Sequence, residues 1–350
     1  MASTTTREQL KVGRLTVALS NTGKVLFPGD EITKGELIGY YQAAAEQMLP
    51  YLRERPLAMA RYPDGITGER IFQKNVGRHF PDWIPRVDVG KQGGTLRQVV
   101  VAKAADLVYL ANQACVELHP FLSRVDRPRR VGQRGDPDQD GHPDQDSHPD
   151  QDSHSDQDSH PGEPDQLHRP DMLIFDLDPP DGRHFEAVRT AALRLREILE
   201  DLGLTAFVKT TGSKGLHVQV PLNGREEFDP VREFAHQVAE VLAAAEPDLV
   251  TVEQRKDARH GRVYADIMRN AYAQTAVAAY SVRARPHAPV ATPVSWDEVA
   301  DPALAADSFT LRALPDRLAQ LAKAGDPWAG MSRHRQGLSR PRRLLARKQP

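Results

Sequence analysis

Between Asp138 and Pro161 the chain repeats one hexapeptide four times, Asp-Gln-Asp-[Gly/Ser]-His-[Pro/Ser], and this repeat constrains how everything else can fold. The surrounding stretch 136–166 holds eleven carboxylates, no Lys or Arg, and no aliphatic or aromatic side chain. A segment with nothing to bury cannot offset the entropy lost on ordering it. Residues 131–168 are therefore expected to form a disordered acidic insert between two structured parts, 15–130 and 169–328. The repeat histidines His142, His148, His154 and His160 could hold divalent metal without fixed geometry, but a solvated spacer is the simpler reading.

Two parts of that size suit a chain of 350 residues with 39% hydrophobic and 27% charged residues. The net charge of −2 hides an asymmetry: without the eleven carboxylates of the insert the chain would carry +9. Ser332–Pro350 adds seven Arg or Lys and no acid, a composition that attracts polyanions, so a nucleic-acid partner is favoured. A basic tail at 329–350 and a disordered N-terminus at 1–14 complete the expected organisation. The single cysteine, Cys115, excludes an internal disulfide and a cysteine-based zinc site and reads as a buried thiol. No apolar run suits a signal peptide or a membrane span, so a cytoplasmic or nucleoid-associated protein with no membrane partner is expected.

Apolar periodicity predicts a helix over 35–52, with Leu37, Ile38, Tyr41, Ala45, Met48 and Leu49 on one face. Short strands follow around Pro63-Asp64-Gly65, then a hairpin over 87–102, and a helix from Ala104 to near His119. After the insert, DMLIFDLD reads as a strand and HFEAVRTAALRLREILEDLG as an amphipathic helix closed by Gly203. Two strands around a Gly-rich turn, a second helix and the short strand RVYADI complete a β-α-β-β-α-β order. This order predicts an α/β fold of α+β type, a small sheet with both helices on one face and the other face open.

Three elements of that half carry chemistry. In DMLIFDLDP a strand's period of two sends Asp176 and Asp178 to one side and Phe175 and Leu177 to the other. Adjacent carboxylates repel, and hard oxygen ligands select Mg²⁺ or Mn²⁺; the plain alternative is a turn pair ahead of Pro179-Pro180-Asp181-Gly182. Asp266, the only acid of its short strand, could face that pair and complete a site for two ions, as nucleotidyl transfer uses, or could be an edge charge. In TTGSKGLHV, Gly212 and Gly215 flank Ser213 and Lys214, a turn suited to phosphate although not a Walker loop. His217 follows in the next strand, where a lone histidine is as often structural.

Taken together, FDLDP at 175–179, GSKGLHV at 212–218 and D-x-x-RNA at 266–271 running into AYSVRARPHAPV resemble the polymerase domain of bacterial LigD. So do RYPDGI, FQKN, PDWI and ELHP upstream. That domain is a branch of the archaeo-eukaryotic primase superfamily acting in nonhomologous end joining, and the likeness runs from about Leu15 to Gly325. The resemblance implies a primase-polymerase fold, an RRM-like split-βαβ catalytic sheet packed on an N-terminal α/β module. It implies that Asp176, Asp178 and Asp266 bind two divalent ions and are catalytic. It places His119, Thr211, Ser213, Lys214, His217, Arg269 and Arg283 around the incoming nucleotide, Lys24 and Lys34 on the 5′-phosphate of a gap or break, and Phe72 against the template. Thr211 stands where the family usually has Ser, Ile71 replaces the first of an aromatic pair, and the insert lengthens the path from His119 to Asp176.

The expected activity is template-directed addition of NTPs, ribonucleotides preferred by resemblance, to 3′-OH ends at gaps and breaks. Mn²⁺ or Mg²⁺ is the expected cofactor, and DNA ends, NTPs, Ku and a separate ATP-dependent ligase are the expected partners. No Lys-x-Asp-Gly ligase nucleophile occurs, so no sealing is expected from this chain. Two other readings stand beside it. One is a phosphohydrolase with an aspartyl nucleophile, although Pro180 occupies the position where such enzymes usually carry Thr or Val. The other is a non-catalytic module that bridges 5′-phosphorylated ends through Lys24, Lys34 and the basic tail.

Overall fold

The computed structural model describes residues 8–77, 79–91, 93–125, 166–180 and 185–347. The acidic repeat lies outside them. The N-terminal part opens with a hairpin of β1 (Glu8–Val12) and β2 (Leu15–Leu19), its turn made by Gly13 at φ +60°. This corrects the expectation of disorder over residues 8–14. Leu10 and Val12 alternate with Gln9 and Lys11, and Val12, Val17 and Leu19 enter the first core.

A short pair, β3 (Val25–Phe27) and β4 (Ile32–Thr33), leads into α1 (Lys34–Ala43). A capping box closes its start: Glu36 N donates to Thr33 Oγ1 at 3.2 Å, and Thr33 N to Glu36 Oε2 at 2.9 Å. The chain bends at Ala44 and continues as α2 (Ala45–Leu52), ahead of the crowding that Pro50 imposes, so the one expected helix is two. Its predicted apolar face is nevertheless buried from Leu37 to Leu49.

Next come β5 (Pro56–Arg61), β6 (Ile71–Gln73), β7 (Arg86–Lys91), β8 (Gly94–Val100), α3 (Ala104–Asn112) and β9 (Cys115–Pro120). β5 is central, pairing with β6 and β8 along one edge and with β9 along the other. Here the expected helix to His119 is corrected. It ends at Asn112, Ala114 turns into the left-handed region at φ 55°, and Cys115–Pro120 is a strand. The strand's period of two puts Glu117 and His119 on one side, which a helix would not.

The second part holds β10 (Met172–Asp178), α4 (Phe185–Asp201), β11 (Phe207–Thr210), β12 (Leu216–Pro221), α5 (Phe228–Ala245), β13 (Val250–Thr251), β14 (Val263–Asp266) and β15 (Pro293–Val294). They form a six-stranded sheet in the order β13-β14-β10-β12-β11-β15. The middle four strands are antiparallel, the split-βαβ arrangement the sequence predicts. Leu173, Phe175, Leu177, Val208 and Val218 pack on Val188, Leu195 and Leu199 of α4 and on Val231, Phe234 and Val238 of α5. Each such side chain contributes about 1.5–3 kcal/mol on burial.

α6 (Trp296–Ala300), α7 (Leu314–Ala324) and α8 (Ser339–Leu345) complete the chain. The last corrects the expected basic tail. Leu338 and Leu345 are buried in the second core, and Arg342 donates to Glu226 Oε2 at 2.5 Å while its guanidinium lies 5.9 Å from the ring of Phe234 on α5. The arginines occupy the outer face of an amphipathic helix. Between the two parts, Tyr40 Oη donates to Tyr280 O at 2.7 Å, Leu118 N to Ser281 Oγ at 2.9 Å, and Val282 N to Tyr41 Oη at 3.3 Å. These bonds tie β9 and α1 to the segment following β14. Among the described residues no helix is long and apolar enough to cross a membrane.

Candidate active site

The open face of the six-stranded sheet carries a rank of polar residues across four strands. In register, Asp266 on β14 lies opposite Asp176 on β10, Asp176 opposite His217 on β12, and His217 opposite Lys209 on β11. Directly opposed residues in an antiparallel pair share a face, so these side chains point to the same side. Asp178 stands two residues along β10, also on that side. Oxygens of Asp176, Asp178 and Asp266 all lie within 4.8 Å of one another.

The electrostatics of the cluster fit a cation. Burial, then the charges of Asp176 and Asp266, push Asp178 up to about 7. Asp266 is raised by burial and by Asp176, against a hydrogen bond from Met268 N at 2.7 Å. Burial works against the ionised Asp176 too, but His217, Arg269 and Lys209 hold its carboxyl below the ordinary range. Its Oδ1 accepts no hydrogen bond, with His217 Nε2 3.3 Å away, and Arg269 Nε is 3.7 Å from Oδ2. Three buried or half-buried carboxylates, two of them reluctant to ionise and one with an unsatisfied oxygen, are the donor set of a hard divalent ion.

Two local features hold this geometry. Asn270 receives Ile174 N on its Oδ1 at 2.9 Å and donates from Nδ2 to Ile174 O at 2.7 Å, continuing the β10 ladder where β14 stops. The turn between β11 and β12 lies directly on β10: a Cβ on Gly215 would sit 2.1 Å from Leu177 O. Only glycine allows that approach. Thr211 closes the same turn, its Oγ1 accepting from Gly215 N at 3.1 Å and donating to Gly215 O at 3.1 Å.

A cavity of about 710 Å³ opens beside the cluster and is lined by two of its three carboxylates, Asp176 and Asp178, but not by Asp266. Of the residues expected to serve the nucleotide or template, it is lined by Asp176, Asp178, Thr211, Ser213, His217, Arg269, His119, Arg283 and Phe72. Phe72 is 43% exposed, its ring 5.6 Å from that of His119. Lys214 is exposed on the turn and does not line the cavity. Lys24 and Lys34 also lie off it, joined to one another through Lys34 N and Lys24 O at 2.8 Å. Lys24 pairs with Asp64 at 2.8 Å, whereas Lys34 is buried and donates to Asn112 O at 3.2 Å. Burial, then the charge of Lys24, lowers its pKa. A larger recess of about 820 Å³, beyond residues 276–279, holds none of the three carboxylates.

Sequence reasoning missed two groups. Glu117 lies among the basic side chains of the cavity, accepting from Arg283 Nε at 3.1 Å and from Ala284 N at 3.0 Å, with His119 Nε2 at 3.0 Å. Lys209 is fully buried, its Nζ without a hydrogen-bond partner, and burial followed by Arg283 lowers it to about 7. The misread strand concealed the first. A lone strand lysine gave no signal of the second.

An open split-βαβ face bearing three convergent carboxylates beneath a basic cavity defines a nucleotidyltransferase of the primase-polymerase class. Comparison makes it specific: residues 33–145 and 147–328 match the family model described as LigD, primase-polymerase domain, and the chain belongs to that family. It is 32% identical over 310 residues to the multifunctional nonhomologous end-joining DNA repair protein LigD of Mycobacterium tuberculosis, covering 89% of this chain and 36% of that one. It is 31% identical over 332 residues to the Pseudomonas aeruginosa protein, covering 95% and 35%. The chain thus spans about a third of the length of these relatives. The polymerase domain of M. tuberculosis ligase D, solved in complex with DNA, superposes with a TM-score of 0.74 at 30% identity, over 91% of this chain and 99% of that one.

Proposed function

We propose that this chain adds nucleotides, under template direction, to 3′-OH ends at gaps and double-strand breaks, as the polymerase component of nonhomologous end joining. The observation that carries this reading is the carboxylate triad facing a basic cavity on a sheet shared with a DNA-bound polymerase domain. Asp176, Asp178 and Asp266 would hold two divalent ions, Mn²⁺ or Mg²⁺, which supply Lewis-acid activation of the 3′-OH and charge stabilisation at the triphosphate.

The other roles belong to the protein. Arg283 and Arg269 offer planar forks to phosphate oxygens, and Ser213 with the backbone N–H groups of its turn adds donors. His217, neutral because burial first and Lys209 next lower it to about 4, fixes Asp176 rather than competing as a cation. Phe72 presents an exposed ring for stacking on a template base. Lys24, exposed, would receive the downstream 5′-phosphate, and Lys34 would join it on releasing Asn112 O. Ku and a separate ligase would then complete repair.

Primer extension on a gapped duplex with a 5′-phosphate, comparing rNTPs with dNTPs, tests the proposal. Templated addition that requires Mn²⁺ or Mg²⁺, is faster with rNTPs and weakens without the 5′-phosphate is expected. Addition that ignores the template or persists in chelator overturns it.

A further inference from the structure

The cavity beside the carboxylates is lined by basic groups, and three of them, Arg70, His119 and Arg283, converge on one acid. Glu117 is buried, and both of its oxygens are engaged: Oε1 by Arg283 Nε at 3.1 Å and Ala284 N at 3.0 Å, Oε2 by His119 Nε2 at 3.0 Å, with Arg70 at 3.9 Å. A carboxylate beside a site that receives a polyanion is electrostatically unfavourable for the ligand. Its placement therefore needs a reason other than direct contact.

The geometry points to Glu117 as the positioning residue of the nucleotide site, one that orients His119 and Arg283 before the triphosphate arrives. Arg283 is gripped twice, at Nε by Glu117 and at Nη1 by Thr211 O at 2.7 Å. The first contact comes from β9 of the N-terminal part and the second from the turn lying on β10. These two bonds fix the plane of the guanidinium across the joint between the two parts and leave the rest of the fork for phosphate oxygens. The same carboxylate sets the imidazole of His119 with Nε2 toward Glu117 and the Nδ1 edge away from it. Without the acid, an arginine and a histidine would have to be ordered at the moment of binding, and that entropic cost would fall on the nucleotide. The hydrogen bonds to Glu117 outweigh its burial and keep it ionised, which sustains the grip.

This inference rests on the reading of the cavity as the nucleotide site, and one experiment separates the two. Steady-state extension of a gapped duplex is measured for the wild type, Glu117→Gln, Glu117→Asp, Arg283→Lys and the Glu117→Gln/Arg283→Lys pair, together with Tm and affinity for the DNA alone. Wild type that adds no nucleotide overturns the nucleotide-site reading itself. If wild type is active, Glu117→Gln should raise KM for the nucleotide about tenfold with kcat within about threefold and DNA affinity unchanged. Glu117→Asp should recover part of the loss, and the double variant should be little worse than Arg283→Lys, because the two changes remove one coupled arrangement. A folded Glu117→Gln protein with KM unchanged or lowered, or strictly additive effects in the pair, overturns the positioning role. If Glu117→Gln does not fold, Arg283→Lys and Glu117→Asp decide it, since an unchanged KM in both has the same meaning.

Discussion

The two faces of the six-stranded sheet are built from the same strands and differ by a one-residue step. Toward the helices, Phe175, Leu177 and Val218 are buried among the side chains of α4 and α5. Toward the cavity, Asp176, Asp178 and His217 form a polar rank. The helix face is assembled from residues that gain stability on burial. The open face collects groups whose burial costs stability, and two of its carboxylates are raised by it. One β-strand therefore holds the fold with one set of side chains and, with the alternate set, stores the negative charge that a cation relieves.

Substitutions on the two faces should separate these properties. The largest effect is expected on the open face: Asp178→Asn should slow nucleotide addition by about a thousandfold or more, while urea denaturation shows stability kept or raised. On the helix face, Phe175→Ala should cost about 3–5 kcal/mol in the same denaturation, yet the protein that remains folded should still bind Mn²⁺. If both variants lost stability equally, the division between faces would be wrong.

The pH dependence is a finer probe. A carboxyl raised to about 7 stabilises the fold while protonated, and that contribution fades as pH rises toward 7. The contribution of Asp178 to the metal-free protein should therefore fall from pH 5 to 7, and Asp178→Asn, followed by urea denaturation, should gain stability relative to the wild type across that window. His217, lowered from 6.5 to about 4, works in the opposite sense, its contribution growing from pH 4 to 6.5 as the unfolded imidazole loses its proton, and Lys209, lowered to about 7, adds stability as pH rises beyond 7. Because the ion needs the ionised carboxylate, Mn²⁺ affinity by calorimetry should rise about fivefold from pH 6 to 7. Smallest of all, Arg342→Ala on α8 should cost only about 0.5–1 kcal/mol and leave addition unchanged, since neither it nor its partner Glu226 lines the cavity and both are partly exposed.

The split sheet and its carboxylates were legible in the sequence because both depend on periodicity. A run of seven residues with acids at alternate places at its end reads as a strand with two distinct faces, and MLIFDLD is one. The helices α4 and α5 announced themselves by their apolar spacing for the same reason. What was hidden depended on contacts between distant segments. Glu117 and Arg283 are separated by 166 positions, and nothing local marks either as the other's partner. The strand Cys115–Pro120 read as helix because α3 runs almost into it and the break falls at an alanine, a residue that favours helices. The N-terminal hairpin and α8 were concealed by charge. In both, a few apolar residues such as Val12 and Leu345 find a core that composition alone does not reveal.

The most direct test is single-turnover nucleotide addition to a gapped, 5′-phosphorylated duplex by wild type and by Asp176→Asn/Asp178→Asn, with the fold of each confirmed by circular dichroism. Templated addition by the wild type and none by an equally folded double variant is the predicted result. Undiminished addition by the double variant would place the chemistry elsewhere and contradict the assignment of the open face as the catalytic one.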